Sequence, residues 1–154
     1  MQRYYPARQI VPGLWIGSAG DAANPRAAER RKFGLVVNCS KDIEAELPVP
    51  TYRVPVDDWP KDSPVMLRHL PEAVAVIDDT LQRGQSVLVH CYAGIQRSAT
   101  VVAAYLMWRD GLGAREAMQR VQAVKPETFS PRPTFARALR QWETRLKDAN
   151  FRPG

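Results

Sequence analysis

Residues 90–98 read His-Cys-Tyr-Ala-Gly-Ile-Gln-Arg-Ser and lie between the apolar run Val87, Leu88, Val89 and a second apolar stretch over 99–108. A short buried strand, a tight loop and a helix in that order leave few folds open. The free N–H groups at the helix start give the loop a positive potential, and consecutive loop N–H groups can turn inward to meet an anion. Cys91 stands at the mouth of this cradle, where a helix N-terminus favours a thiolate. Arg97 closes it with a planar fork that grips two oxygens of a phosphate at once, which a lysine cannot do. Gly94 supplies the backbone freedom that an inward-curling loop demands.

The string His-Cys-x2-Gly-x2-Arg-Ser is far more specific than Cys-x5-Arg alone. From average residue usage it arises by chance about once in 10^5 cysteines. The competing reading makes Cys91 a small apolar residue that ends a strand, as free cysteines often do. The apolar strand before the loop and the apolar helix after it favour the anion site.

Along the rest of the chain, strands and helices alternate. Residues 9–11 and 14–17 read as short strands around a Pro-Gly turn. Asn24-Pro25 marks a helix start, with Gly34 as its stop. Residues 35–38 and 51–55 read as further strands. From Pro64 a long amphipathic helix carries Leu67, Leu70, Val74, Ile77 and Leu81 on one face and ends at Arg83-Gly84. The continuous apolar character of 86–89 predicts a strand covered on both faces. Helices follow over 98–109, 114–124 and 134–148. The pattern predicts a single α/β domain over 1–154, core about 10–147, with a central, mainly parallel sheet of about five strands flanked by helices.

The loop resembles that of the cysteine-dependent protein tyrosine phosphatase superfamily, and in particular its dual-specificity, VH1-like family. Residues 93–95 and 97–100, followed by Ala104-Tyr105-Leu106-Met107, are similar to that family's loop and next helix. Residues 12–18 resemble its opening strand pair, Val36-Val37-Asn38 its next core strand, and residues 52–58 the segment that bears its general acid. Pro71 is placed at the beginning of a helix, and Ser130-Pro131 before the last one. The resemblance implies a protein tyrosine phosphatase-like fold and a metal-independent hydrolase that forms a phosphocysteine intermediate, with no cofactor.

On that reading Cys91 is the nucleophile, and the loop residues Tyr92, Ala93, Gly94, Ile95, Gln96 and Arg97 bind the phosphoryl group. Alignment on Pro55-Val56 places Asp58 at the general acid, with Asp57 its rival; Asp62 is a third candidate, read first as a helix cap. Ser98 is given two tasks together: capping the following helix, and donating to Cys91 as the resemblance implies. His90 precedes the nucleophile by one residue, so strand alternation turns it from the pocket, where it orders the loop through hydrogen bonds. His69 is placed on the surface. Cys39 admits two readings, a buried apolar residue or a redox partner that forms a reversible disulfide with Cys91.

One departure stands out. Where the family carries an asparagine that braces the loop, after Ser130-Pro131, this chain has Arg132. Either another residue takes over the brace, or Arg132 faces outward beside the pocket. The loop interior holds no lysine, which disfavours a phosphoinositide, and Ser-Ala in place of Thr-Gly after the arginine disfavours an RNA 5′-phosphate. A phosphorylated protein or peptide is the expected partner, carrying phosphotyrosine, with phosphoserine and phosphothreonine as further candidates. The alternatives left open are a non-protein phosphate and a phosphate-binding module without activity. The net charge of +6 suits an anionic substrate, although a solvated basic surface explains it too. No basic run interleaved with aromatics points to nucleic acid, and no apolar run reaches the roughly 20 residues that span a bilayer. Residues 1–6 lack the apolar core of a signal peptide. With two cysteines, the chain is expected to be a cytoplasmic monomer.

Overall fold

The computed structural model describes residues 6–154; residues 1–5, on which most of the signal-peptide expectation falls, lie outside the described residues. The order of elements is β1 (Arg8–Val11), β2 (Leu14–Gly17), α1 (Pro25–Arg30), β3 (Phe33–Asn38), β4 (Thr51–Arg53), α2 (Ser63–Gln82), β5 (Ser86–His90), α3 (Arg97–Asp110), α4 (Ala114–Val124) and α5 (Ala136–Leu146). The sheet runs β1-β2-β5-β3-β4. Only the β1/β2 pair is antiparallel, and every other neighbour is parallel. The expected α/β domain with a mainly parallel five-stranded sheet is what forms.

Strand periodicity sorts the residues onto two faces. Val87 and Val89 of β5 point into the main core together with Leu14, Ile16, Leu35 and Val37. Leu88 points the other way, into a smaller cluster with Val36, Phe33 and Ala28 beneath α1. Both faces of β5 are therefore covered, which accounts for its unbroken apolar run. Ten consecutive residues of α3, from Ser98 to Met107, are buried. A helix buried on every side is the pillar of the domain, and α5 is tied to it where Trp142 Nε1 donates to the Ala104 carbonyl at 3.1 Å.

Several boundaries differ from the sequence reading. Gly34 does not stop α1. That helix ends at Arg30, the turn is made by Lys32 at φ 58°, and Gly34 lies within β3 beside an irregularity in its pairing with β5. Helix α2 starts at Ser63 and passes through Pro71, so Pro71 begins no helix. The missing N–H there deprives the Leu67 carbonyl of its helical partner. The deeply buried ridge of α2 is Met66, Leu70, Ala73, Val74 and Ile77, whereas Leu67 and Leu81 are half-buried. Strand β4 stops at Arg53, α3 begins one residue early at Arg97, and α5 is shorter at both ends than expected. Among the described residues, no helix is long and apolar enough to cross a membrane.

His69 is not a free surface residue. It is half-buried, and its Nδ1 lies 3.2 Å from the Tyr52 hydroxyl. Burial lowers the pKa of His69, and burial also lowers that of His90, which is almost wholly enclosed. Each folded-state value is therefore below the ordinary 6.5. Below that pH the unfolded chain binds more protons than the folded one, so stability falls as the pH drops through this window. The unfolding midpoint is expected to decline from pH 7 to pH 5, and less steeply in His90→Gln. Parallel declines in the two proteins would contradict the assignment to His90.

Candidate active site

The loop leaves β5 at His90 and enters α3 at Arg97. Cys91 is 3% exposed, and its Sγ lies 3.2 Å from the Ser98 Oγ. Because α3 already starts at Arg97, Ser98 falls inside its first turn. The N-cap residue is Gln96, which makes no side-chain capping bond. The capping task expected of Ser98 is therefore not performed, and its buried hydroxyl faces Cys91 instead.

Gly94 has φ 73°. A Cβ at Gly94 would stand 2.6 Å from the Gly17 carbonyl oxygen and 2.6 Å from Lys125 Nζ. Glycine is required there both by conformation and by space. Backbone bonds hold the loop on two sides: Ala19 N–H donates to the Tyr92 carbonyl at 3.0 Å, and Phe129 N–H donates to that of Ile95 at 2.9 Å.

The brace question has a structural answer. Gln96 Nε2 donates to the carbonyls of Ser130 (3.0 Å) and Arg132 (2.9 Å), while its Oε1 accepts from Thr134 N–H at 3.0 Å. A glutamine inside the loop thus ties the loop to the 130–134 segment. The Arg132 side chain is exposed on the rim.

A cleft of about 550 Å³ opens over the loop, lined by Cys91, Tyr92, Ala93, Ile95, Gln96 and Arg97, and also by Asp58, Pro60 and Arg132. Of residues 92–97, expected to bind the phosphoryl group, Gly94 alone is absent from the lining, because it faces the underside. Arg97 donates through Nη1 to the Val56 carbonyl at 3.1 Å. That contact couples the anion loop to the segment entering Asp57-Asp58. The two aspartates then diverge. Asp57 is turned to Lys41, with Oδ2 2.9 Å from Nζ, and its N–H donates to Asp62 Oδ2 at 2.8 Å. Asp58 faces the cleft. Asp62 occupies the position before α2 but makes no side-chain cap; its carboxylate holds the Asp57 backbone instead.

His90 is buried, with Nδ1 3.3 Å from the Cys91 carbonyl oxygen. Cys39 follows the last residue of β3, and its N–H donates to the His90 carbonyl at 2.7 Å. Its thiol is buried and free. Burial first, and then the charge of nearby Cys91, push the Cys39 thiol well above its ordinary value, with Arg97 acting in the opposite direction. Among the described residues, no group of three or more His, Cys, Asp or Glu converges as a metal site.

Two contributors escaped the sequence reading. Gln96 was seen only as a loop residue, because its partners lie 34 to 38 positions away. Lys125 was seen only as part of a slightly long connecting segment, yet its side chain is fully buried beneath the loop. No periodicity marks either one.

The family model for the dual specificity phosphatase catalytic domain matches residues 14–145, from β2 almost to the end of α5. The chain is 36% identical over 135 residues to rat dual specificity protein phosphatase 15, covering 87% of this chain and 56% of that protein. It is 32% identical over 136 residues to mouse dual specificity protein phosphatase 22, covering 88% and 72% respectively. The crystal structure of human DUSP28 superposes with a TM-score of 0.86 at 33% identity, covering 94% of this chain and 97% of that one. The chain spans about half the length of several of the curated relatives it matches. The matched stretch spans both the cysteine loop and the aspartate-bearing segment that meet at the cleft, and the chain belongs to the dual specificity phosphatase catalytic domain family.

Proposed function

We propose that this domain hydrolyses phosphoprotein monoesters, phosphotyrosine foremost with phosphoserine and phosphothreonine beside it, through a phosphocysteine intermediate and without a metal or cofactor. The observation that carries this reading is the meeting of Cys91, Arg97 and Asp58 in one cleft, with Ser98 Oγ 3.2 Å from the thiol sulfur.

The Cys91 thiolate attacks phosphorus, and an S–P bond forms as the ester P–O bond breaks. The departing oxygen takes its proton from the Asp58 carboxyl. N–H groups of residues 92–97 and the Arg97 guanidinium stabilise the equatorial oxygens as charge develops. The Asp58 carboxylate then accepts a proton from water as the water oxygen attacks phosphorus. The S–P bond breaks, inorganic phosphate leaves, and the Ser98 hydroxyl donates to the returning thiolate. His90 contributes by ordering the loop through the Cys91 carbonyl. We further propose that residues 1–154 act as one domain with core about 10–147, as a cytoplasmic monomer that needs neither nucleic acid nor membrane.

The test is turnover in a chelator-containing buffer. Phosphotyrosine, phosphoserine and phosphothreonine peptides are compared with a phosphoinositide and an RNA 5′-triphosphate. Phosphopeptides are expected to be hydrolysed fastest. Faster turnover of a non-protein phosphate, or binding of all five without turnover, would overturn the reading.

Cys39 enters as a redox partner. Peroxide converts the Cys91 thiolate to a sulfenic acid, which condenses with the Cys39 thiol to a disulfide and releases water. Intact-mass measurement after mild peroxide is expected to show the loss of two hydrogens in wild type and none in Cys39→Ser. An unchanged wild-type mass, or direct oxygen addition alone, would remove Cys39 from this role.

A further inference from the structure

Lys125 is a fully buried charged residue that the proposed chemistry leaves unused. It follows directly after α4, its side chain is 0% exposed, and its Nζ has no hydrogen-bond partner among the described residues. A carboxylate oxygen, Oε1 of Glu127, is 4.0 Å away. The position of the ammonium is fixed by Gly94: a Cβ there would stand 2.6 Å from Nζ. Gly94 is the loop residue that does not line the cleft, while its neighbours Ala93 and Ile95 do. The ammonium is therefore pressed against the underside of the anion loop.

An ammonium removed from water without hydrogen bonds is costly. A methionine or leucine would fill a wholly buried site without that cost. Burial lowers the Lys125 pKa, whereas Glu127, Cys91 and Asp21 pull it back up and Arg8 pushes it down. Asp21 is itself engaged by Ser18, through both its N–H and its hydroxyl. Around the thiol stand Arg97, Ser98, Cys39 and His90, and His90 is held toward its neutral form by burial. Besides Glu127 and Asp21, the anions within reach of the ammonium are those the loop itself holds, a Cys91 thiolate and, during the reaction, a phosphoryl group.

We propose that Lys125 is a positioning residue for the phosphatase reaction, a counter-charge behind the loop that holds Cys91 as thiolate and tightens the grip on the phosphoryl group from beneath while Arg97 acts from the cleft. This rests on Cys91 being the nucleophile. It also revises the picture of a cradle with a single cation: the second one comes from a segment about thirty residues downstream and never touches the substrate.

Because coupling is reciprocal, an anion in the cradle must raise the proton affinity of Lys125. The first test uses the wild-type chain with 13Cε-labelled lysine. Lys32, Lys41, Lys61 and Lys147 are exposed, so the resonance that titrates below the others is Lys125. Adding inorganic phosphate is expected to move that titration to higher pH and leave the other four in place. An outlying resonance indifferent to phosphate overturns the proposal, as does one already neutral at pH 7 with phosphate bound.

The second test is Lys125→Met. The expected results are an unfolding midpoint equal to or above wild type, and a pH for half-maximal alkylation of Cys91 by iodoacetamide that rises by about one unit or more. On p-nitrophenyl phosphate, kcat/KM is expected to fall about tenfold at low pH and partly recover at high pH, as an acid limb displaced by about one unit requires. A merely structural lysine would lower the unfolding midpoint and leave the alkylation profile unmoved, and that outcome overturns the proposal. If the variant does not fold, the wild-type titration decides. That titration needs no turnover, so it stands apart from any failure of the catalytic reading, which wild-type hydrolysis of p-nitrophenyl phosphate and its loss in Cys91→Ser test separately.

Discussion

Cys91→Ser is expected to reduce hydrolysis of p-nitrophenyl phosphate on the order of 10^4-fold or more, to the buffer background, while the chain stays folded. The exchange replaces sulfur by oxygen in a position that is 3% exposed, so packing changes little. A serine hydroxyl also keeps a hydrogen bond with Ser98 within reach. What is lost is the sulfur nucleophile that the covalent step requires. The loop N–H groups and Arg97 remain, so the variant should still bind a phosphopeptide with affinity near that of wild type. Loss of binding together with turnover would point to a structural role for the thiol. Residual turnover near the wild-type rate would place the chemistry elsewhere.

Asp58→Asn is expected to produce the next largest effect, and one that depends on the substrate. A general acid contributes about 10^2- to 10^4-fold, but only where the leaving oxygen needs the proton. Aryl phosphates with poor leaving groups should lose most of that factor in kcat, and activated ones far less. Asp57→Asn is the control. Its carboxylate is turned to Lys41 in an exposed ion pair, and pairs of that kind are worth little, so activity should change only slightly. Equal losses on good and poor leaving groups, or a larger effect at Asp57 than at Asp58, would reverse the assignment.

The parts of this site that could be read in the sequence are those whose chemistry is contiguous. Residues 90–98 carry nucleophile, cradle and guanidinium in one run, flanked by a strand and a helix whose apolar character declares their burial. The same holds for the frame: β5 had to be covered on both faces, and the ridge of α2 follows helical spacing through Leu70, Val74 and Ile77. What could not be read depends on where distant segments meet. Ser98 was a plausible cap until α3 began one residue earlier and turned the hydroxyl toward Cys91. Gly34 looked like a helix stop, but the chain turned at Lys32 instead and left the glycine for β3. Asp58 could be preferred over Asp57 by alignment on Pro55-Val56, but the partner that turns Asp57 aside, Lys41, lies sixteen residues upstream and could not be read. The brace at Gln96 and the charge at Lys125 belong to contacts across more than thirty positions, which neither composition nor periodicity encodes.

The central claim is that phosphate passes through a covalent bond to Cys91. Its most direct test is a rapid acid quench of wild-type protein during turnover of a phosphotyrosine peptide in metal-free buffer, followed by mass analysis of the peptide containing residue 91. The expected result is the added mass of one phosphoryl group on Cys91, appearing within a single turnover and decaying as substrate is exhausted. Turnover with no phosphoryl group on Cys91, or with the group on another residue, would contradict the account.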